Sequence, residues 1–317
     1  MQKVIVVGAG QWGRNLVRTF YELGALAGVA EASPELRNKI QTDYPGIPIY
    51  ADYRLALETD AKAFAVATPA HTHARIAEEL LAAGRDVFVE KPITLAAEEA
   101  ERLIRAAEKT GRILMVGHLL LYQPAIQKVS ELIRDGKIGR LQSLHQERMK
   151  LGRARAVENV LWSFGVHDLA VIHYLVGQAP TDIQTIGHRI VQRSVEDDVY
   201  VHLSFGNGVK AHLHTSWLWP EQRRRLTVVG TTGMLIYDED AQTVTLHRKT
   251  IDEELSIVDE GAELVFRGEA QPLALECQHF LSCVETRQTP LSDGRNGLEV
   301  VRILEKASQL LQNEENQ

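Results

Sequence analysis

Two short stretches carry side chains suited to moving protons: Glu90-Lys91-Pro92 and Ser163-Phe-Gly-Val-His167-Asp168. A lysine at the end of a buried strand can hydrogen-bond a substrate hydroxyl, and burial beside a positive ring lowers its pKa toward a useful value. The same Glu-Lys pair also suits a surface turn ahead of a proline. A neutral histidine beside an alcohol can accept the hydroxyl proton while hydride leaves carbon. Any one of the 12 histidines can equally be a capping or core imidazole. Ser163 and His167 lie four residues apart and share a helix face if the helix starts early enough. Two further histidine pairs, His71/His73 and His212/His214, have strand spacing, but no cysteine or carboxylate completes a ligand set, so no metal is expected.

Two basic segments flank this histidine stretch in sequence. Lys150, Arg153 and Arg155 precede it, and Arg223-Arg224-Arg225 come after it. Guanidinium forks suit a diphosphate, and solvated loops account for the charge equally well.

The element that would position a redox cofactor lies at residues 3–14. Val4 to Val7 form the continuous apolar run of a strand buried on both faces. Gly8, Gly10 and Gly13 follow at G-x-G-x-x-G spacing, and an amphipathic stretch then runs from Asn15 to Leu23. The first glycine suits a tight turn, the second the close approach of a pyrophosphate, the third close packing of helix on strand. The helix N-terminus offers free N–H groups to the phosphates. A second apolar run, Ala27 to Ala30, ends at Glu31, about 20 residues on, where a ribose-binding acid belongs. A carboxylate there accepts from ribose hydroxyls and repels a 2′-phosphate, which favours NAD over NADP. No arginine follows within three residues, although Arg37 is near enough to swing in.

Strand and helix patterns alternate through residues 1–119, which predicts a doubly wound parallel sheet, a Rossmann domain. Its strand-end residues Gly8, Glu31, Thr68, Glu90, Lys91 and His118 then face one crevice. Residues 120–317 read as a second, α+β domain. A helix is expected from Pro124 to Asp135, another from Leu161 to Val176, and a last one from Leu298 to Leu311. Between them, Val199 to Phe205 and Val209 to Trp217 alternate about Gly206-Asn207-Gly208, the pattern of a hairpin with one packed face. Its other face, with Tyr200, His202, His212 and His214, is broad enough for subunit contact.

The bulk numbers set bounds. A net charge of −7 argues against a general nucleic-acid binder. Cys277 and Cys283 lack metal spacing and read as reduced thiols in a cytoplasmic protein. The first strand leaves no room for a signal peptide, and no apolar run is long enough for a membrane span.

In combination, Gly8-x-Gly10-x-x-Gly13, Thr68-Pro69 with His73, Glu90-Lys91-Pro92, Gly117-His118, Ile138-Gly139 and His167 resemble the glucose-fructose oxidoreductase/inositol 2-dehydrogenase (Gfo/Idh/MocA) family over nearly the whole chain. The resemblance implies an N-terminal Rossmann domain, a C-terminal domain with a large, mostly antiparallel sheet, and homo-oligomers, dimer or tetramer, made through that sheet. It implies NAD(P)-dependent chemistry on a ring hydroxyl of a sugar or cyclitol. By matching positions it makes Lys91 and His167 the catalytic pair, puts Gln11 and Trp12 under the pyrophosphate, and lines the nicotinamide side with Thr68, Pro69 and His73. One position departs: members that oxidise free polyols usually carry Asp four residues before the histidine, where this chain has Ser163. A narrower likeness, in Gly117 to Ala125, Leu151 to Arg155 and Glu158 to Ser163, is to a subgroup acting on nucleotide sugars. That subgroup implies oxidation of the 3-hydroxyl of UDP-N-acetylglucosamine, with His118, Arg153, Arg155 and Ser163 near substrate, and a partner aminotransferase that carries the 3-keto product toward lipid A. Three alternatives stand beside it: the same reaction on UDP-N-acetylglucosaminuronate or another sugar, an NAD-dependent glycosidase, and a non-enzymatic NAD-binding regulator.

Overall fold

A computed structural model describes residues 3–152, 154–268 and 271–314. The chain forms two compact units, one of residues 1–119 with 271–301, the other of 120–270 with the described chain from 302.

The first unit is built on six parallel strands: β1 (Val4–Val7), β2 (Leu26–Ala30), β3 (Ile49–Tyr50), β4 (Ala63–Val66), β5 (Asp86–Glu90) and β6 (Leu114–Gly117), in the order β3-β2-β1-β4-β5-β6. The order reverses direction at β1 and β4, which opens a crevice beyond their carboxyl ends. Strands β1, β4, β5 and β6 are buried at every position, because helices cover both faces. The connecting helices are α1 (Gly13–Glu22), α2 (Pro34–Asp43), α3 (Tyr53–Ala56), α4 (His73–Ala82) and α5 (Ala97–Thr110). Ser33 caps α2 through its side chain and Gly111 closes α5 in the left-handed conformation.

The second unit begins with α6 (Pro124–Arg134) and carries an eight-stranded sheet: β7 (Leu141–Met149), β8 (Pro180–His188), β9 (Asp198–Phe205), β10 (Lys210–Ser216), β11 (Arg223–Gly230), β12 (Met234–Asp238), β13 (Thr243–Ile251) and β14 (Ile257–Arg267). Their order is β14-β13-β12-β11-β7-β10-β9-β8. All pairs are antiparallel except β7 with β10. The hairpin expected around Gly206-Asn207-Gly208 is β9–β10. Val199, Val201, Leu203, Phe205, Ala211 and Leu213 are its buried face, packed beneath α7 (Val166–Val176).

Residues 271–301 differ from the expectation of a C-terminal domain continuous from residue 120. Helix α8 (Pro272–Thr286) and the start of α9 (Gly294–Glu314) belong to the first unit. Phe280 of α8 meets Phe88 of β5 edge-on, with ring centroids 5.7 Å apart. The exposed edge of β6 is closed by the same segment: Val116 N–H donates to Ser292 O at 2.8 Å, and Ser292 Oγ donates to Val116 O at 2.6 Å. Arg287 clamps the buried Asp86 with two bonds of 2.8 Å. An unpaired sheet edge is a liability, and this return of the chain removes it. No helix among the described residues is long and apolar enough to cross a membrane.

Candidate active site

The glycine turn follows β1. Gly8 has φ +90°, a conformation that disfavours any side chain. A Cβ on Gly13 would stand 2.0 Å from the Gly8 carbonyl oxygen, so helix and strand approach as closely as backbone allows. Gly10 has no atom within 4 Å of the corresponding position. That open space over the N-terminus of α1 fits a pyrophosphate. Gln11 and Trp12 are exposed on the turn.

Glu31 ends β2 with both carboxylate oxygens engaged by backbone: Ala9 N–H donates to Oε2 at 2.6 Å, and Ser33 N–H to Oε1 at 2.8 Å. Each oxygen retains a lone pair for a ribose hydroxyl. Arg37, near enough in sequence to swing in, instead donates to the carbonyls of Glu31 and Ala32 at 2.9 and 2.7 Å. A cavity of about 440 Å³ joins Gly8, Gly10, Glu31, Thr68 and Pro69. Arg54 and Arg75, which sequence reasoning misses, line it as well.

Glu90 and Lys91 close β5, and the Lys91–Pro92 peptide is cis. Lys91 is half-buried. The Glu90 carboxylate accepts from the Trp12 indole N–H and, at 3.3 Å, from the Lys91 backbone N–H. His73 is 1% exposed, with Nδ1 2.9 Å from Pro92 O and Nε2 2.8 Å from Thr68 O. His73, which the resemblance puts on the nicotinamide side, has its ring between the carbonyls of two strand-end loops, and burial pushes its pKa down. Thr68 Oγ1 lies 2.7 Å from Thr72 Oγ1. His118, after β6, is buried.

Beneath this strand end lies a carboxyl that sequence reasoning misses. Glu276 of α8 is 1% exposed, and among the described residues neither of its oxygens has a hydrogen-bond partner. Burial and the nearby Glu90 push its pKa well above the usual carboxylate range. Burial also raises Glu90 from 4.5 to about 7, against the pull of Trp12 and Lys91. A carboxyl whose folded-state pKa is raised contributes stability below its unfolded pKa that is lost as pH rises through the folded one. Stability is therefore expected to fall as pH climbs from the ordinary carboxylate range toward about 7, Glu90 and Glu276 acting in the same direction. Glu90→Gln is expected to flatten that part of the profile, read by urea unfolding at pH 5, 6, 7 and 8. A wild-type profile no steeper than the variant's contradicts this account.

In the second unit, His167 lies on the first turn of α7, half-buried. The residues before it, Leu161–Gly165, form a π-helical turn rather than the expected start of an α-helix. Such turns are frequent at functional sites. Ser163 is buried and its hydroxyl donates to Val160 O at 3.3 Å, a local helix contact. Asp168 points into the unit: Arg148 Nε donates to both of its oxygens at 2.9 and 2.8 Å. The same guanidinium donates to Glu239 at 2.6 Å. Burial raises the Asp168 pKa to about 6 in spite of Arg148.

The basic segments resolve differently. Arg153 lies outside the described residues. Arg155 pairs with Glu158 at 2.9 Å on the surface, a contact worth about 0–1 kcal/mol and easily exchanged. Lys150 Nζ sits 5.7 Å from the Phe164 ring centre. Arg223 and Arg224, on β11, pair with Glu147 and Glu239 at 3.4 and 3.1 Å.

A G-x-G-x-x-G turn between β1 and α1, an acid following β2 and a six-stranded doubly wound sheet define a dinucleotide-binding Rossmann unit. Residues 2–118 match an oxidoreductase family with an NAD-binding Rossmann fold, and residues 126–236 match the GFO/IDH/MocA C-terminal domain. The chain belongs to the GFO/IDH/MocA family, and NAD is its cofactor. It is 28% identical over 308 residues to UDP-N-acetylglucosamine 3-dehydrogenase of Acidithiobacillus ferrooxidans, covering 93% of each chain. It is 22% identical to inositol 2-dehydrogenase of Rhizobium meliloti, covering 89% of this chain and 88% of that one. A solved structure of UDP-N-acetylglucosamine 3-dehydrogenase GnnA from A. ferrooxidans superposes with a TM-score of 0.87 at 25% identity, covering 98% and 97%. The chain is therefore an NAD-dependent sugar oxidoreductase.

Proposed function

We propose that this chain oxidises the 3-hydroxyl of UDP-N-acetylglucosamine to the 3-keto sugar nucleotide. The observation that carries the reading is the 28% identity to a UDP-N-acetylglucosamine 3-dehydrogenase along 93% of both chains, joined to a lysine ending β5 and a histidine after a π-helical turn. NAD⁺, when bound at the glycine turn, accepts the hydride. Lys91 hydrogen-bonds the reacting oxygen and stabilises the negative charge that develops on it. His167 accepts the hydroxyl proton. Arg155, whose pairing to Glu158 is weak, exchanges that partner for the diphosphate, and Arg153 is its companion by sequence. The keto product is the substrate class of a glutamate-dependent aminotransferase, which we take as the functional partner in 3-amino-sugar and lipid A synthesis. We assign self-association to the hairpin face that bears Tyr200, His202, His212 and His214.

The test is NADH absorbance on mixing the purified protein with NAD⁺ and UDP-N-acetylglucosamine, with and without glutamate and a 3-aminotransferase to draw off product. The expected signal is absent with free N-acetylglucosamine and with UDP-N-acetylglucosaminuronate. NADH bound by the protein, but no turnover in either mixture, rejects the substrate. His167→Ala is expected to lower kcat at least ~10²-fold while NADH binding persists. Turnover within threefold of wild type removes His167 from the reaction.

A further inference from the structure

Arg54 and Arg75 share a cavity with Glu31, the carboxylate placed to meet the adenosine ribose. Two guanidinium groups at that end of a dinucleotide site would ordinarily favour a 2′-phosphate, since planar forks match its oxygens bidentately. Both are already engaged. Glu79 of α4 accepts from Arg54 Nη2 and Nε, each at 2.9 Å, on its two oxygens. It also accepts from Arg75 Nη1 at 3.3 Å and from the Tyr53 hydroxyl at 2.6 Å. Arg75 Nη1 donates to the Tyr53 oxygen at 3.0 Å, which closes the ring of contacts. Asp52 stands 3.4 Å from Arg54 Nη1.

We infer that Glu79 is a specificity-determining residue: it holds Arg54 and Arg75 in a fork that neutralises them, so that the cavity accepts the 2′-hydroxyl of NAD and refuses the 2′-phosphate of NADP. The selection thus has two parts. Glu31 repels the phosphate, and Glu79 withholds the cations that would compensate for it. Neither part suffices alone, because free arginines beside Glu31 would still offer the phosphate an ion pair. The fork is polar and partly solvated, with the Arg54 and Arg75 side chains 51% and 55% exposed. Its hold therefore depends on geometry and on the two opposed carboxylates, Glu79 and Asp52, more than on burial. Burial acts against the charge on Glu79, but the bonds from Tyr53 and Arg54 outweigh it and keep that carboxyl below the usual range. The fork consequently stays ionised through neutral pH. This inference concerns the dinucleotide site alone and is independent of the sugar proposed above.

The test is direct binding of NADH and NADPH, followed by the fluorescence of the reduced nicotinamide, to the full chain and its variants. The wild type is expected to prefer NADH. Glu79→Gln and Glu79→Ala are expected to raise NADPH affinity at least ~10-fold while NADH affinity moves less than ~3-fold. Replacing Arg54 and Arg75 together with alanine in the Glu79→Gln background should erase the gain. NADPH affinity unchanged in both Glu79 variants overturns the inference. So does a wild type that binds the two cofactors equally.

Discussion

Lys91→Ala is expected to lower kcat at least ~10²-fold and to change the Kd for NADH less than ~3-fold. The lysine follows directly on a strand that is buried at every position, so the sheet anchors the chain just ahead of it. The Lys91 backbone N–H is fixed to Glu90 Oε2 at 3.3 Å, and the Trp12 indole fixes the other carboxylate oxygen. His73 braces the next residue through Pro92 O. Truncating the side chain thus removes a charge and a donor without releasing the loop that carries it. Steady-state kinetics with UDP-N-acetylglucosamine, beside a cofactor titration, separates the two effects. A fall in NADH affinity as large as the fall in kcat would make Lys91 a cofactor ligand instead of a group acting on the reacting oxygen. Turnover near wild type would end its role altogether.

The second large effect is expected at Gly13. A methyl group there would meet the Gly8 carbonyl oxygen at 2.0 Å and the Ala67 Cβ at 3.3 Å. The first of these is backbone and cannot yield without opening the turn. Overpacking of this kind costs about 1–3 kcal/mol or more. Gly13→Ala is accordingly expected to lower Tm and to weaken NADH binding at least ~10²-fold, since the turn that opens is the one facing the pyrophosphate. Gly10→Ala is the informative companion. Its methyl group meets nothing in the chain, so Tm should hold while NADH binding falls. Equal losses of Tm in the two variants would show that both glycines serve only the fold.

Much of the first unit is legible from sequence because most of its strands are continuous apolar runs that give way abruptly to glycine, proline or polar residues. Gly8 to Gly13, Glu31, Thr68-Pro69 and Glu90-Lys91-Pro92 all fall at such ends, so spacing alone brings them to one side of the sheet. Helix α8 is less legible. Leu273, Cys277, Phe280 and Val284 recur at helical spacing, but Leu275 and Leu281 put apolar residues on other faces and Glu276 falls within the stripe, which blurs the buried face. Its carboxyl becomes visible only once α8 is seen against β5. The fork of Glu79, Arg54, Arg75 and Tyr53 joins residues from α3 and α4 that carry no local signature. His73 shows the opposite case. Its position is recognisable, but the two carbonyls at its ring nitrogens emerge only from the fold. The π-helical turn at Leu161–Gly165 is likewise invisible to a helix-period reading, which places Ser163 and His167 on one face.

The return of residues 271–301 to the first unit bears on how the protein is made. A domain encoded contiguously at the N-terminus can finish folding while the ribosome is still translating the remainder of the chain. This one cannot. Until residues 271–301 emerge, β6 keeps an open edge where Ser292 belongs, Asp86 is buried without Arg287, and Phe88 lacks Phe280. All of residues 120–270 must be synthesised in the interval. The nascent cofactor unit therefore passes through a long period with all six strands made but one strand edge and apolar surface exposed, of the kind that chaperones bind.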